Sequence, residues 1–383
     1  MRGGSVAGAA GGPADDLWLD GPVVGRRSRA PDRVVDADGL VLLPGWIDTQ
    51  VNGAFGIDLT STPDRVWGLA SRLVDTGVTA FLPTLVSPDA ATVALAVEVL
   101  AAVPDDWRGA RPLGWHLEGP FIAPDQRGTH PASQLRGIDL DEVDRWAASG
   151  RVRLVTLAPE VDGAVEAVRR LVAGGVVVAA GHSAADHEAA RSGFDAGITG
   201  VTHLFNAMPG LHHREPGLLT AALADPRIRL GAIGDGLHLA PETLALLDRL
   251  VPDRIHLVTD AMAAAGLAQG TYRLGDLEVV LGDDGPRNPD GGLAGSAATY
   301  DEVVRTWQRA TGAASSELAP VTSSTAAGLL GEGGRGHLRP GAVADVTGVD
   351  ATGTVALVVA GGQVLVGAER IDGPRTSAEQ GAP

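Results

Sequence analysis

Residues 152–204 read VRLVTLAPEVDGAVEAVRRLVAGGVVVAAGHSAADHEAARSGFDAGITGVTHL. Three short apolar runs, Val152–Leu157, Val176–Ala180 and Gly200–Leu204, alternate with two stretches, Gly163–Ala173 and Ala185–Ala196, that carry Ala, Leu, Glu and Arg at helical spacing. Runs this short, rich in Val and Leu and lacking polar alternation, suit strands buried on both faces, as in a parallel sheet covered by helices. Two histidines, His182 and His203, stand at or just beyond the ends of the second and third runs.

The same alternation extends in both directions. Leu40–Ile47, Val78–Val86 and Pro112–Leu117 precede this stretch, and Ile228–Ile233 and Ile255–Thr259 follow it, which makes eight runs. Helix-like segments lie between most of them, at Pro63–Thr76, Asp89–Ala102, Asp139–Ala148 and Pro241–Leu250. Strand and helix alternating eight times predict an α/β fold, a (β/α)₈ TIM-like barrel, placed here over residues 44–334. The chain ends read differently. Residues 1–43 are Gly-rich with short β-like pieces, and 335–383 include LRPGAVADVTGV and TVALVVAGGQVLVG, which read as antiparallel strands. Both ends are expected to form one small β-sandwich domain beside the barrel, with an irregular N-terminal part and a disordered tail, RTSAEQGAP.

Composition narrows the chemistry. The 383 residues contain no Cys, which excludes disulfides, thiolate ligands and a Cys nucleophile. They also contain no Lys, so Schiff-base chemistry, a P-loop lysine and a carbamylated-lysine metal ligand are excluded as well. A net charge of −17 argues against nucleic-acid binding, and an anionic substrate would need a local cationic pocket. No apolar run reaches the ~18–20 residues of a membrane span. The opening MRGGSVAGAAGGPADD lacks the apolar core of a signal peptide, so a cytoplasmic protein without membrane contact is expected.

The polar residues of interest follow the apolar runs. Glu118 follows WHL, His182 follows VVVAAG, His203 ends GVTH, Asp235 and His238 follow LGAIG, and Asp260 follows HLVT. In a barrel these positions all fall on the C-terminal face, where active sites are built. One carboxylate and two imidazoles, Glu118, His182 and His203, suit a divalent cation such as Zn²⁺ with a position left for water. Asp260, after the last run, suits a base that later serves as an acid. Arg214 and His238 are candidates for an anionic group, although Arg214 equally suits a salt bridge with Glu215. His116 and His256 read as structural residues of the strands, and His212 and His213 as exposed loop residues.

At these residues the chain resembles the N-acetylglucosamine-6-phosphate deacetylase family of amidohydrolases. PGWIDTQVNG, LEGPFI with GTH, AGHS, THLFNAM with REPG, GDGLH, LVTDAM and GLAGS occur in that family's order, from about residue 44 to 300. The resemblance implies one divalent metal ion per subunit on Glu118, His182 and His203, with Zn²⁺ first and Fe²⁺, Co²⁺ or Mn²⁺ as alternatives. It implies Asp260 as catalytic acid/base and His130 as a catalytic, substrate-contacting histidine that polarises the acetamide carbonyl. It implies substrate contacts from Asn206 and Ala207 and from the loop Leu293, Ala294 and Gly295. Arg214 and His238 match a phosphate-binding pair, with such contacts partly shared across the interface of a homodimer. The implied reaction is hydrolysis of N-acetylglucosamine 6-phosphate to glucosamine 6-phosphate and acetate. Alternatives are the same reaction on N-acetylgalactosamine 6-phosphate and a non-catalytic sugar-phosphate sensor. One departure from other amidohydrolases stands out: Gln50 and Asn52 replace a His-x-His pair. Amides are poor ligands beside imidazole, so a single ion is expected.

Overall fold

The structure is a computed structural model that describes residues 1–7, 16–26 and 31–372. The tail RTSAEQGAP lies outside the described residues. Eight parallel strands make the barrel: β1 Trp46–Val51, β2 Val78–Val86, β3 Trp115–Glu118, β4 Val152–Leu157, β5 Val177–Ala180, β6 Gly200–Val201, β7 Arg229–Ile233 and β8 Ile255–Val258. Each pairs with the next from β1 to β8. The first apolar run, Leu40–Ile47, spans two sheets. Val41–Pro44 belongs to a separate sheet, Gly45 intervenes, and the barrel strand starts at Trp46. A continuous apolar stretch does not reveal where a chain leaves one sheet for another.

The outer ring is formed by α1 Val66–Leu73, α2 Ala90–Ala101, α3 Leu140–Ala148, α4 Ala164–Ala173, α5 His187–Ala196, α6 Leu218–Ala224, α7 Pro241–Leu250 and α8 Tyr300–Thr311. Their starts follow from local chemistry. The side chains of Asp89, Asp139 and Asp186 accept backbone N–H groups at the starts of α2, α3 and α5, Thr299 and Glu302 form a capping box on α8, and Pro241 opens α7. Their apolar faces, such as Val303, Val304 and Trp307 of α8, join one core with the outward side chains of the strands.

Inside the barrel the layers are distinct. Ile47, Leu82 and Leu154 pack against Ala326, Ala327 and Leu329 of the short helix Thr325–Leu330, which plugs the lower end. Above them lies a polar layer. His116 Nε2 meets Thr156 Oγ1 at 2.7 Å, and His256 Nε2 meets Thr49 Oγ1 at 3.0 Å. Both rings are buried, and burial lowers each to a pKa of about 4, so they remain neutral packing residues as the sequence suggested.

The seam between β1 and β8 closes largely outside regular strand pairing. Asn52 N and Gly53 N donate to Ala261 O, Asp260 N donates to Gln50 O, and Thr259 Oγ1 donates to Asp48 Oδ2 at 2.6 Å. A bulge between Asp48 and Val51 sets three steps of β1 against two of β2. Bulges re-aim side chains. Here Ile47 and Thr49 face the barrel interior, and beyond the bulge Gln50 and Asn52 do so at its mouth.

Both chain ends contribute to a five-stranded sheet in the order Ser5–Val6, Val41–Pro44, Val346–Val349, Val355–Ala360, Gln363–Val366. Leu42, Val346, Leu357 and Val359 form its separate apolar cluster with Leu17 and Val24. Sequence reading missed a three-stranded antiparallel sheet, Gly270–Leu274, Leu277–Gly282 and Gly285–Arg287, which sits at the barrel mouth. No helix among the described residues is long and apolar enough to cross a membrane.

Candidate active site

The strand ends deliver their polar residues to one cavity of about 340 Å³. Glu118 is the last residue of β3, while His182, His203 and Asp260 each stand two residues beyond β5, β6 and β8. All four side chains are buried. His182, His203, Ala207 and Asp260 have φ of 49°, 31°, 51° and 51°. Non-glycine residues in the left-handed region cost on the order of 1 kcal/mol or more each, and such strain gathers where side-chain direction is functional.

Three donor atoms converge. Glu118 Oε1 lies 3.2 Å from His182 Nε2 and 3.0 Å from His203 Nε2, and the two nitrogens are 3.0 Å apart. His182 Nδ1 lies 2.8 Å from Gln126 O, a carbonyl, so Nδ1 carries a proton and Nε2 is the nitrogen turned inward toward Glu118 and His203. Lone pairs from imidazole and carboxylate packed this closely repel unless a proton or cation sits among them, so the residues fit a divalent ion. The donor atoms of Glu118, His130 and His182 also lie within 4.8 Å of one another. His130 is the more distant of the four, with Nε2 3.9 Å from Glu118 Oε2 and Nδ1 2.7 Å from Ser87 Oγ.

The charges follow this packing. Burial alone would raise the Glu118 carboxyl, but hydrogen bonds and charge from His182 and His203 hold it well below its ordinary value. Burial lowers His203, but its bond to Glu118 outweighs this and leaves it raised. Burial, and then the neighbouring His182, hold His130 well below the usual histidine range, so it is neutral. The Asp260 carboxyl is pushed up to about 7 by burial and by the Glu118 charge, with His203, His238 and the Asn52 amide acting against them.

Gln50 and Asn52 each serve one acid. Gln50 Nε2 donates to Glu118 Oε1 at 2.8 Å, and Asn52 Nδ2 donates to Asp260 Oδ1 at 2.7 Å. The sequence identified them only as missing ligands, although their i, i+2 spacing on a strand hinted at a shared face. Ser87, Asp125, Gln126 and Thr129 are further site neighbours that the sequence did not single out.

Of the other expected contacts, His130, Asn206, Ala207, His238, Leu293 and Gly295 line the cavity. Ala294 is fully buried and does not line it. Arg214 lies in an exposed loop and does not line it within one chain. A cavity of about 400 Å³ beside the small sheet holds none of these residues.

The amidohydrolase family pattern matches residues 41–365. The chain is 38% identical to an N-acetylgalactosamine-6-phosphate deacetylase of Escherichia coli O157:H7, over 88% of this chain and 92% of that one. It is 37% identical to the human N-acetylglucosamine-6-phosphate deacetylase, over 91% and 90% of the two chains. Among solved structures, an Asp-to-Ala variant of the Mycobacterium smegmatis N-acetyl-D-glucosamine-6-phosphate deacetylase, in complex with N-acetyl-D-glucosamine 6-phosphate, matches with a TM-score of 0.84 and 32% identity. That match covers 91% of this chain and 94% of that one. The chain belongs to the amidohydrolase family, and within it groups with the deacetylases of 6-phosphorylated amino sugars. It is a metal-dependent hydrolase by fold, by donor cluster and by kinship. A dihydropyrimidinase from Brevibacillus agri shares the fold alone, at 15% identity and a TM-score of 0.59.

Proposed function

We propose that this protein hydrolyses N-acetylglucosamine 6-phosphate to glucosamine 6-phosphate and acetate. The observation that carries the reading is the Glu118–His182–His203 cluster sharing one cavity with Asp260, in a chain so similar to these deacetylases. Glu118, His182 and His203 would hold one divalent ion, Zn²⁺ in the first place, which supplies an activated water and a Lewis acid for the carbonyl. A second ion lacks ligands, because Gln50 and Asn52 spend their amides on the two acids and the chain has no lysine.

Asp260 takes a proton from the attacking water as its oxygen bonds to the acetamide carbon. The same carboxyl then delivers that proton to the amine as the C–N bond breaks. A pKa near neutrality suits both halves of this task. In the tautomer in which the Ser87 hydroxyl donates to Nδ1, neutral His130 carries its proton on Nε2 and can donate to the carbonyl oxygen. Asn206, Ala207, Leu293 and Gly295 border the sugar, and His238 meets the phosphate.

We place Arg214 at the phosphate of a neighbouring subunit in a homodimer. Its exposure supports this reading, as do the exposed Leu211 and Leu237 in the same mouth region. The same reading puts the enzyme in the cytoplasm, where phosphorylated sugars are found. Acetate release should be measured side by side on N-acetylglucosamine 6-phosphate and its galactosamine epimer. Higher kcat/KM on the first is expected. The reverse order would favour the second reading, suggested by the E. coli relative, and release from neither would reject both.

A further inference from the structure

The cavity is short of cations. Among the described residues that line it there is no arginine, and the chain has no lysine. Among those lining residues histidines are the only side chains able to carry positive charge, and three of them belong to the cluster around Glu118. His238 stands apart from that cluster and has a partner of its own. Its Nδ1 lies 2.7 Å from Asp235 Oδ2, and the two side chains are 7% and 3% exposed. The other oxygen, Asp235 Oδ1, accepts the backbone N–H groups of Leu237 and His238, both at 2.9 Å. Gly236, with φ +80°, lets the chain turn tightly enough for this closure.

Asp235 does not line the cavity, whereas His238 does. The Asp235 carboxylate therefore meets no bound molecule directly, and the side chain between them is the His238 imidazole. Burial would raise the Asp235 carboxyl, yet the hydrogen bond and charge of His238 with the two backbone amides leave it below its ordinary value. It is an anion in the folded protein. An anion at Nδ1 fixes a proton there and leaves Nε2 as the free ring nitrogen. For Nε2 to donate to a negatively charged oxygen as well, the ring must carry both protons, and the Asp235 carboxylate 2.7 Å from Nδ1 is the counter-charge beside it. Two acids act on the ring, Asp235 by direct contact and Asp260 through space.

We propose that Asp235 is a positioning residue that makes His238 a cationic N–H donor to the anionic group of the substrate. This rests on the proposed function, because it requires a substrate that carries a phosphate. It goes beyond that reading in assigning the phosphate site a buried counter-charge that touches no substrate.

The test uses the metal-loaded full chain with N-acetylglucosamine 6-phosphate and with unphosphorylated N-acetylglucosamine. Asp235→Asn retains an acceptor oxygen but removes the charge. It should raise KM for the phosphorylated sugar about tenfold or more, a charge-assisted hydrogen bond being worth that much. kcat should stay within about twofold, and the unphosphorylated sugar should be unaffected. His238→Gln should raise KM for the phosphorylated sugar by at least as much, and adding Asp235→Asn to His238→Gln should cost nothing further. Equal losses on both sugars, or full additivity in the double variant, would overturn the proposal, because the carboxylate would then act on the fold and not through His238. Should Asp235→Asn fold poorly, as judged by its melting temperature, Asp235→Glu decides. Retained selectivity supports a charge role, and loss on both sugars rejects it. If His238→Gln leaves the preference for the phosphorylated sugar intact, the phosphate assignment itself is wrong. If His238→Gln abolishes it and Asp235→Asn does not, only the role given to Asp235 falls.

Discussion

Asp260 and Glu118 lie in one buried cavity, yet burial and neighbours drive them in opposite directions. Two imidazoles hold Glu118 ionised, whereas Asp260 is lifted to about 7 by burial and by the Glu118 charge. That divergence suits the proposed division, one carboxylate for ligation and the other for proton transfer. Replacing Asp260 by Asn should lower kcat about 10²–10⁴-fold while bound metal, measured by elemental analysis, stays unchanged. Retained turnover would reject the acid/base role. The two amides of β1 separate in the same way. Gln50→Leu should weaken metal binding about 10–100-fold, read by competition with a chelator. Asn52→Leu should leave metal affinity intact and lower kcat, since it frees Asp260 and not Glu118. If both variants lose metal alike, the division between them is wrong.

At the scale of the element, the β1–β8 seam decides where these groups stand. The bulge after Asp48 brings Gln50 and Asn52 to the mouth, and the Asp48–Thr259 clip ties the strand that carries Asp260 to its neighbour. Asp48 is wholly buried, and burial raises its pKa to about 7, with the Thr259 hydroxyl and two backbone amides opposing. In an unfolded chain it would titrate near 3.8. The folded protein thus holds this proton more tightly, so the contribution of Asp48 to stability is full below about pH 4 and is lost as pH rises to about 7. Asp48→Asn should remove that loss. Its stability relative to the unmodified chain should grow between pH 4 and 7, by roughly 1.4 kcal/mol per unit at most, in urea titrations at several pH values. An unchanged difference across the window would mean that Asp48 stays ionised throughout. The alternation of apolar runs predicted most of the strands and helices, but two elements escaped it. The bulge was hidden because an extra residue leaves no mark in a run as polar as DTQVN, and the three-stranded sheet at the mouth was hidden because its strands are half exposed and mixed in character.

Across the whole molecule, an acidic chain must bind an anionic substrate at a cavity that a single copy supplies only with histidines. The proposed shared site would resolve this, with His238 from one subunit and Arg214 from the other. Mixing Asp260→Asn and Arg214→Ala subunits should then restore activity that neither variant has alone, because each mixed dimer contains one site with Asp260 and Arg214 both present. No recovery after subunit exchange would place Arg214 outside the neighbouring site. Metal analysis of the purified protein should give close to one ion per chain, and a ratio near two would contradict the reading of Gln50 and Asn52.

The sequence by itself determined the barrel, the side of it on which chemistry occurs, and the residue types available there. Strand period and strand-end position are local properties, written in consecutive residues. Glu118, His182, His203 and Asp260 were legible for that reason, and kinship supplied the substrate class. Tertiary structure alone decided how the site is wired. That Gln50 serves Glu118, Asn52 serves Asp260 and Ser87 serves His130 depends on side chains 68, 208 and 43 residues apart meeting within hydrogen-bond reach. Such meetings are set by strand register, one bulge and the closure of the barrel, none of which a linear pattern encodes. The Asp235–His238 pair is the intermediate case. Its spacing of three residues was visible in GDGLH, but only the fold showed that one member faces the cavity and the other stands behind it.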